Sequence, residues 1–321
     1  MKAFPKPNVI VSKCLGFEAC RYNGQVVRDD FVRKLKKHVN YIPVCPEVEI
    51  GLRVPRFPVR IVRSGPTRLI QPSTNRDLTG LMNEFSERFL AGLRDVDGFI
   101  LKHRSPSCGV KDVRIYPSAE KSAPLGTGPG FFGGNVQERF PGLAIEDEGR
   151  LKSYTIREHF LTKLFTLTSL RETMRSQRIS ELVRFHTNNK FLLMSYSQKE
   201  LRILGNTVAN HDKKETTQVM QDYQEGLKNA MKNPPKPTNR INVLMHIFGY
   251  SAGKLSKKEK EFFNETLELY RDGRIPFTSA LQLLRSWTIR FENEYLLYQT
   301  YFEPYPEDLM ELSDAGRSLE L

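Results

Sequence analysis

Four short apolar runs, each followed at once by polar or turn-forming residues, frame the first half of the chain. Gly98-Phe99-Ile100-Leu101 reads as a buried strand, Val9-Ile10-Val11-Ser12 and Tyr41-Ile42-Pro43-Val44 are strand-like runs, and Gly142-Leu143-Ala144-Ile145 reads as one more short strand. Residues 29–38 (DDFVRKLKKH) predict a short helix, acidic at its start and basic at its end, as the helix dipole favours. Residues 77–94 set Leu78, Leu81, Phe85, Phe89 and Leu93 three or four apart, the stripe of an amphipathic helix. Such strand–helix–strand alternation predicts a parallel sheet with right-handed crossovers. From about residue 153 the pattern is helical: Leu182, Phe185 and Phe191–Leu193, then Phe262, Phe263 and Leu267, then Leu281, Leu284 and Trp287. The run Asn233–Pro237 interrupts it as a stiff linker. The expected fold is therefore an α/β N-terminal domain followed by an all-α C-terminal domain. The expected division is 1–160, a helical connection over 161–180, a helical domain over 181–305 and a tail over 306–321.

Three of the strand-like runs deliver a cysteine. Cys14 lies two residues past Ser12, Cys45 directly follows Val44, and Cys108 sits in the loop KHRSPSCGV after Leu101, turned by Pro106 and Gly109. In open α/β sheets ligands gather outside the carboxyl ends of the strands, so these thiols are expected to meet. Cys20, on the loop after Cys14, reads as a neighbouring thiol, an alternative ligand or a bystander. Free core cysteines are the plain alternative. A zinc site usually takes short paired spacings such as C-x-x-C, which the chain lacks. Ferredoxin-type cysteine runs are absent as well. Three distant thiolates fit better a 4Fe-4S cluster with one iron free of protein ligands, a soft Lewis-acid position suited to sulfur.

The charge narrows the partners. The chain of 321 residues carries a net charge of +12, and residues 1–150 hold 24 Lys and Arg against 16 Asp and Glu. A basic excess suits a polyanion, nucleic acid before membrane. Arg33, Lys34, Lys36 and Lys37 are the candidates for phosphate contact, or simply face water. Tyr295, Tyr298, Tyr301 and Phe302 are base-stacking candidates, although aromatics at helical spacing more often build core. Residues 117–141 are rich in glycine but lack the Gly-Lys-Ser/Thr ending of a phosphate loop, so they read as a lid or a plain surface loop. No apolar run approaches the roughly 18 residues of a membrane helix, and the N-terminal apolar stretch is shorter than the about 7–15 residues of a signal-peptide core. The expected location is the cytoplasm, where a disulfide framework is not expected.

The motifs VSKCLGFEACRYNG, PVCPEVEIGL and HRSPSCGV closely resemble the three cysteine loops of the bacterial thiouracil desulfidase family, over residues 8 to about 150. FHTNNKFLLMSYSQ, EKEFFNETLELYRDGRIPF and YLLYQTYFEPYPEDL resemble a helical domain often fused behind that module. The fused form resembles enzymes that remove sulfur from 4-thiouridine in tRNA. One departure is Tyr196-Ser197, where the resemblance leads one to expect His-Ser. The resemblance implies a 4Fe-4S cluster held by Cys14, Cys45 and Cys108. It also implies a non-redox reaction in which the thiocarbonyl sulfur binds the open iron, water attacks the carbon, and hydrogensulfide leaves. Such an attack needs a general base. Glu47 is the candidate, with Ser105 and Ser107 as hydrogen-bond partners of the ring or sulfur. The plainer roles are a salt bridge from Glu47 to Arg53 or Arg56 and turn-forming hydrogen bonds for the serines. Two other functions stay open: a desulfidase of free thiolated pyrimidines, and a tRNA-binding protein with a structural cluster. A radical S-adenosylmethionine enzyme is disfavoured because its closely spaced cysteine triplet is missing.

Overall fold

The computed structural model describes residues 3–310. It divides into two compact units: Lys6–Phe160, and the chain from Leu161 joined by the segment ending at Pro5. The first unit holds, in order, β1 (Asn8–Ser12), α1 (Asp30–Leu35), β2 (Asn40–Val44), α2 (Pro46–Glu49), β3 (Arg60–Arg63), β4 (Thr67–Gln71), β5 (Arg76–Asp77), α3 (Thr79–Gly92), β6 (Gly98–Leu101), β7 (Val113–Tyr116), β8 (Gly126–Gly128), α4 (Phe131–Arg139) and β9 (Ala144–Asp147).

Four strands form one parallel sheet in the order β2-β1-β6-β9. β1 and β6 are central and almost wholly buried, as their apolar runs require. Edge strand β2 is mostly exposed and carries Pro43, which an edge tolerates because no neighbour needs its missing N–H. The chain runs from β1 outward to β2, then crosses back past β1 to β6. The direction of winding reverses between β1 and β6, and a crevice opens there outside the carboxyl ends.

The packing differs from the sequence reading in three places. On α3, Met82 and Phe85 are buried whereas Leu81 is 44% exposed. The stripe runs through 78, 82 and 85, and Leu81 lies one residue off it. A second, five-stranded sheet, in the order β5-β4-β3-β7-β8, was not expected. Its strands RIVR, TRLIQ and VRIY interleave arginines with apolar residues and read as charge rather than as strand. The glycine-rich segment is a surface loop only in part: residues 117–125 are irregular and largely exposed, and the rest forms β8 and α4. The first amides of α4 donate to the Cys108 loop: Phe131 N–H to the Pro106 carbonyl at 3.0 Å and Gly133 N–H to that of Ser107 at 3.0 Å. The loop thus satisfies N–H groups that a helix start leaves without partners. A Cβ at Gly133 would stand 2.2 Å from the Gly109 carbonyl oxygen, so only glycine allows this approach.

The second unit is helical. The helix α5 (Tyr154–Arg175) begins before the division, and beyond it Leu161, Leu164, Phe165 and Leu170 are buried, so this stretch is core rather than a bare connection. It is followed by α6 (Ile179–Asn188), α7 (Lys190–Tyr196), α8 (Gln198–Ala209), α9 (Thr216–Ala230), α10 (Pro237–Gly249), α11 (Lys257–Arg271), α12 (Phe277–Arg290) and α13 (Glu294–Leu297). Pro237 opens α10 at its first turn, where a missing N–H costs nothing. The Tyr196-Ser197 pair has a local role, since the Ser197 side chain caps α8 by accepting from the Glu200 N–H at 3.2 Å. Tyr301 and Phe302 are buried, Tyr295 is half-buried, and Tyr298 is 68% exposed. Of the expected tail, Pro306 and Leu309 are buried, and residues 311–321 lie outside the described residues. Among the described residues no helix is long and apolar enough to cross a membrane.

Candidate active site at the carboxyl ends of the parallel strands

Cys14, Cys20, Cys45 and Cys108 line one cavity of about 170 Å³ at the carboxyl ends of β1, β2 and β6. Cys45 is the residue before the first turn of α2, so the end of β2 and the start of that short helix set its place. Cys14 is tied down through its carbonyl, which accepts the Val27 N–H at 2.8 Å. Cys108 is held by its turn: Ser105 Oγ accepts the backbone N–H of Ser107 at 3.3 Å and of Cys108 at 3.1 Å. Cys20 is no remote bystander. It is 1% exposed and in hydrogen-bond contact with the thiols of Cys14 and Cys45.

The thiol chemistry follows from this crowding. The hydrogen bond with Cys14, opposed in part by that with Cys45, pushes the Cys20 thiol up to about 11. The contact with Cys20, then burial, pushes the Cys45 thiol well above its ordinary range. Burial pushes the Cys108 thiol up to about 12. These groups therefore hold protons that a metal must displace, and loading releases them. Among the described residues no three His, Cys, Asp or Glu side chains are grouped to hold a single metal ion. A four-iron cluster is a different demand, because each thiolate binds its own iron and the ligands need not converge on one point. Three or four soft sulfur donors around one small cavity fit that group.

Glu47 lies on α2 and lines the same cavity. Its Oε2 accepts from Arg56 Nε at 2.7 Å, and its Oε1 accepts from the Ser107 hydroxyl at 2.9 Å. The salt bridge to Arg56 weighed from the sequence is thus present, and the same carboxylate still faces the cavity. Arg56 also reaches the Cys20 carbonyl through Nη2 at 3.0 Å, so it joins the acid to the cysteine loop. Glu49, the other carboxylate on α2, is exposed and is not part of the lining. Ser107 is fully buried and acts on Glu47, whereas Ser105 both lines the cavity and shapes the turn.

The four basic residues of α1 and its end, Arg33, Lys34, Lys36 and Lys37, are all exposed and none lines the cavity. Arg33 is paired with Asp30 at 2.8 Å. The cations that do line it are Arg21, Arg56, Lys102 and Arg104, together with His103. Sequence reasoning passed over His103 and its neighbours Asp147 and Glu148. The signal was available: Asp147-Glu148 ends the fourth strand, and the strand-end argument that gathered the cysteines applies equally to that acidic pair.

Residues 9–148 match the family described as 2-thiouracil desulfurase, and residues 190–306 match a family described as a protein of unknown function. The Bacillus subtilis (strain 168) protein YbbK, itself uncharacterized, is 34% identical over 110 residues, which are 32% of this chain and 72% of YbbK. The Escherichia coli (strain K12) protein YbgA, also uncharacterized, is 27% identical over 126 residues, which are 39% of this chain and 75% of YbgA. A solved structure, that of the [4Fe-4S]-dependent thiouracil desulfidase TudS, is similar with a TM-score of 0.38 and 27% identity, covering 46% of this chain and 93% of that one.

Proposed function

The chain belongs, through residues 9–148, to the 2-thiouracil desulfurase family, and from that premise we propose that it removes sulfur hydrolytically from a thiolated pyrimidine, with 4-thiouridine in tRNA as the substrate. The observation that carries this reading is the convergence of the cysteines with Glu47 on one cavity at the winding reversal of the parallel sheet.

Cys14, Cys45 and Cys108 would hold a 4Fe-4S cluster, which supplies a soft Lewis-acid position for the substrate's sulfur when bound. The protein's own residues do the rest. Glu47 takes a proton from the attacking water. Ser107 and Arg56 hold that carboxylate by both oxygens, so it meets the water in one orientation. Ser105 holds the loop that presents Cys108.

The choice of tRNA over a free base is supported by the basic excess of the first 150 residues and by the exposed mouth residues Tyr22 and Arg104. The free-base reading is favoured by the family match, whose description names the free base 2-thiouracil. The test is anaerobic: iron and sulfide per chain in the purified protein, then sulfide release from 2-thiouracil and from 4-thiouridine-containing tRNA. Iron with sulfide release from tRNA supports the full reading. Release from 2-thiouracil alone replaces tRNA by the free base. Iron without release from either leaves a binding protein with a structural cluster.

A further inference from the structure

Leu101 and Asp147 are register partners on β6 and β9, so the loop leaving β6 and the acidic end of β9 emerge side by side. Two pairs form there. Glu148 accepts the His103 backbone N–H through Oε2 at 2.6 Å and is ion-paired through Oε1 with the Lys102 ammonium. Asp147, fully buried, has Oδ1 at 2.9 Å from His103 Nδ1, in ion-pair contact without the alignment of a hydrogen bond. The same Oδ1 accepts the Arg150 N–H at 2.9 Å, and Oδ2 has no hydrogen-bond partner.

The ring is confined on its other side as well. A Cβ at Gly149 would stand 2.6 Å from His103 Cγ, so the imidazole occupies space that only glycine leaves. His103 is 23% exposed and lines the cavity that holds Glu47 and the cysteines. With Nδ1 set against the buried carboxylate, Nε2 is the ring nitrogen left to exchange a proton with the cavity.

We propose that His103 is a second proton-transfer residue of this cavity, and that Asp147 is its positioning residue. This rests on the hydrolytic desulfuration proposed above. Hydrolysis joins the water oxygen to the thiocarbonyl carbon and breaks the carbon–sulfur bond, whose electron pair leaves with sulfur. Both water protons must go elsewhere. Glu47 takes the first as the carbon–oxygen bond forms. His103, protonated at Nε2, gives its proton to the departing sulfur. The neutral ring then takes the second proton from the new hydroxyl as the carbonyl forms. Glu47 returns its proton to solvent, so the products are the oxo base, hydrogensulfide and one proton, and both side chains end as they began. Glu47, already engaged with Arg56 and Ser107, thus handles only the first water proton, and the imidazole handles the proton given to sulfur and the one taken from the hydroxyl.

The charged groups that face His103 are Asp147, Glu148, Lys102 and Arg104, with Arg150 behind Asp147 and with Glu47, Arg21 and Arg56 lining the same cavity. The experiment uses the full-length, cluster-loaded protein. Sulfide release from 2-thiouracil and from 4-thiouridine-containing tRNA is measured as separate kcat and KM values. H103Q should lose roughly 100-fold in kcat, the lower range for a general acid, with KM little changed. D147N keeps the imidazole but removes the carboxylate that orients it, so kcat should fall by less than in H103Q while KM stays near wild type. Iron and sulfide per chain should match wild type in both. An H103Q protein with the wild-type kcat overturns the proposal. So does a loss of activity in step with lost iron, which would make His103 a support of the loop. A wild-type protein that releases no sulfide from either substrate overturns the desulfuration reading itself.

Discussion

The Ser107 hydroxyl donates to Glu47 Oε1 at 2.9 Å across sixty residues of chain. That bond ties the loop carrying Cys108 to the helix that starts after Cys45, so one contact fixes both a thiol loop and the acid. With Arg56 on the other oxygen, Glu47 has little freedom to rotate. Glu47→Gln keeps the shape and removes the proton acceptor. Iron content should survive, and sulfide release should fall by roughly 100-fold or more. Ser107→Ala should also lower the rate, because a hydrogen bond to a charged group, about 1.5–3 kcal/mol, is lost. Glu49→Gln, on an exposed side chain, should be near neutral. If Glu49→Gln is the damaging change and Glu47→Gln the mild one, the wrong carboxylate has been assigned.

Much of this arrangement was legible in the sequence, for an identifiable reason. A short apolar run that stops at a cysteine carries both its secondary structure and its direction, so the meeting of Cys14, Cys45 and Cys108 followed from strand ends alone. What was not legible depends on pairing between segments. Arg60–Arg63 and Thr67–Gln71 are antiparallel partners whose exposed arginines hide their alternation. The function of Gly133 is visible only once the Gly109 carbonyl is seen against it. The strand-end position of Asp147 was legible, but its contact with His103 depends on the β6–β9 register, which no local pattern encodes.

The cysteines should separate by role. Cys14→Ala, Cys45→Ala and Cys108→Ala should each abolish iron loading, measured as iron and sulfide per chain after anaerobic reconstitution. Cys20→Ala should keep iron, although Cys20 sits against two of those thiols and its loss leaves a small void. An active, iron-bearing Cys45→Ala protein would refute the ligand assignment.

Gly133 and Gly134 offer a paired test of the support under the Cys108 loop. Gly133→Ala drives a methyl into the Gly109 and Cys108 carbonyl oxygens, at 2.2 and 2.7 Å, and backbone cannot step aside cheaply. It should destabilise by about 1–3 kcal/mol, as overpacking does, and lower iron loading. Gly134→Ala meets Pro129 at an ordinary 3.5 Å and should be neutral or stabilising by about 0.4–1 kcal/mol through a less flexible unfolded chain. Equal thermal shifts for the two variants would remove the close-packing argument.

His186 gives the helical unit a pH dependence. Its Nδ1 lies 3.0 Å from the Tyr223 hydroxyl, and burial, with Lys190 nearby, holds the imidazole below its ordinary value of 6.5. Below that pH the unfolded chain takes up a proton that the folded chain still refuses. The unfolded state then binds more protons, so stability rises with pH and is lost as pH falls. Thermal melts below pH 6.5 should show wild type losing more stability than His186→Gln, whose side chain does not titrate. Parallel curves for the two proteins would mean that His186 protonates freely in the fold.

The last prediction concerns the partner. A tRNA backbone is a dense polyanion, so binding releases counterions and weakens as salt rises, with a slope of about −0.7 to −0.9 per phosphate contact on logarithmic axes. A free thiolated base makes only the contacts of the cavity and should be nearly indifferent to salt. Charge reversal at Arg33, Lys34, Lys36 and Lys37, all exposed and outside the lining, should therefore reduce the rate on tRNA and flatten its salt dependence while sparing 2-thiouracil. Reversal at Arg104 adds a test at the mouth, where an exposed guanidinium stands beside the cysteines. A chain ending at residue 180 should lose tRNA activity before free-base activity, provided its first unit still loads iron. The measurement is a parallel assay of both substrates at rising salt, with iron content checked for every variant. Equal losses on both substrates would show that these regions support the fold or the cluster, and the basic surface would no longer be an argument for tRNA.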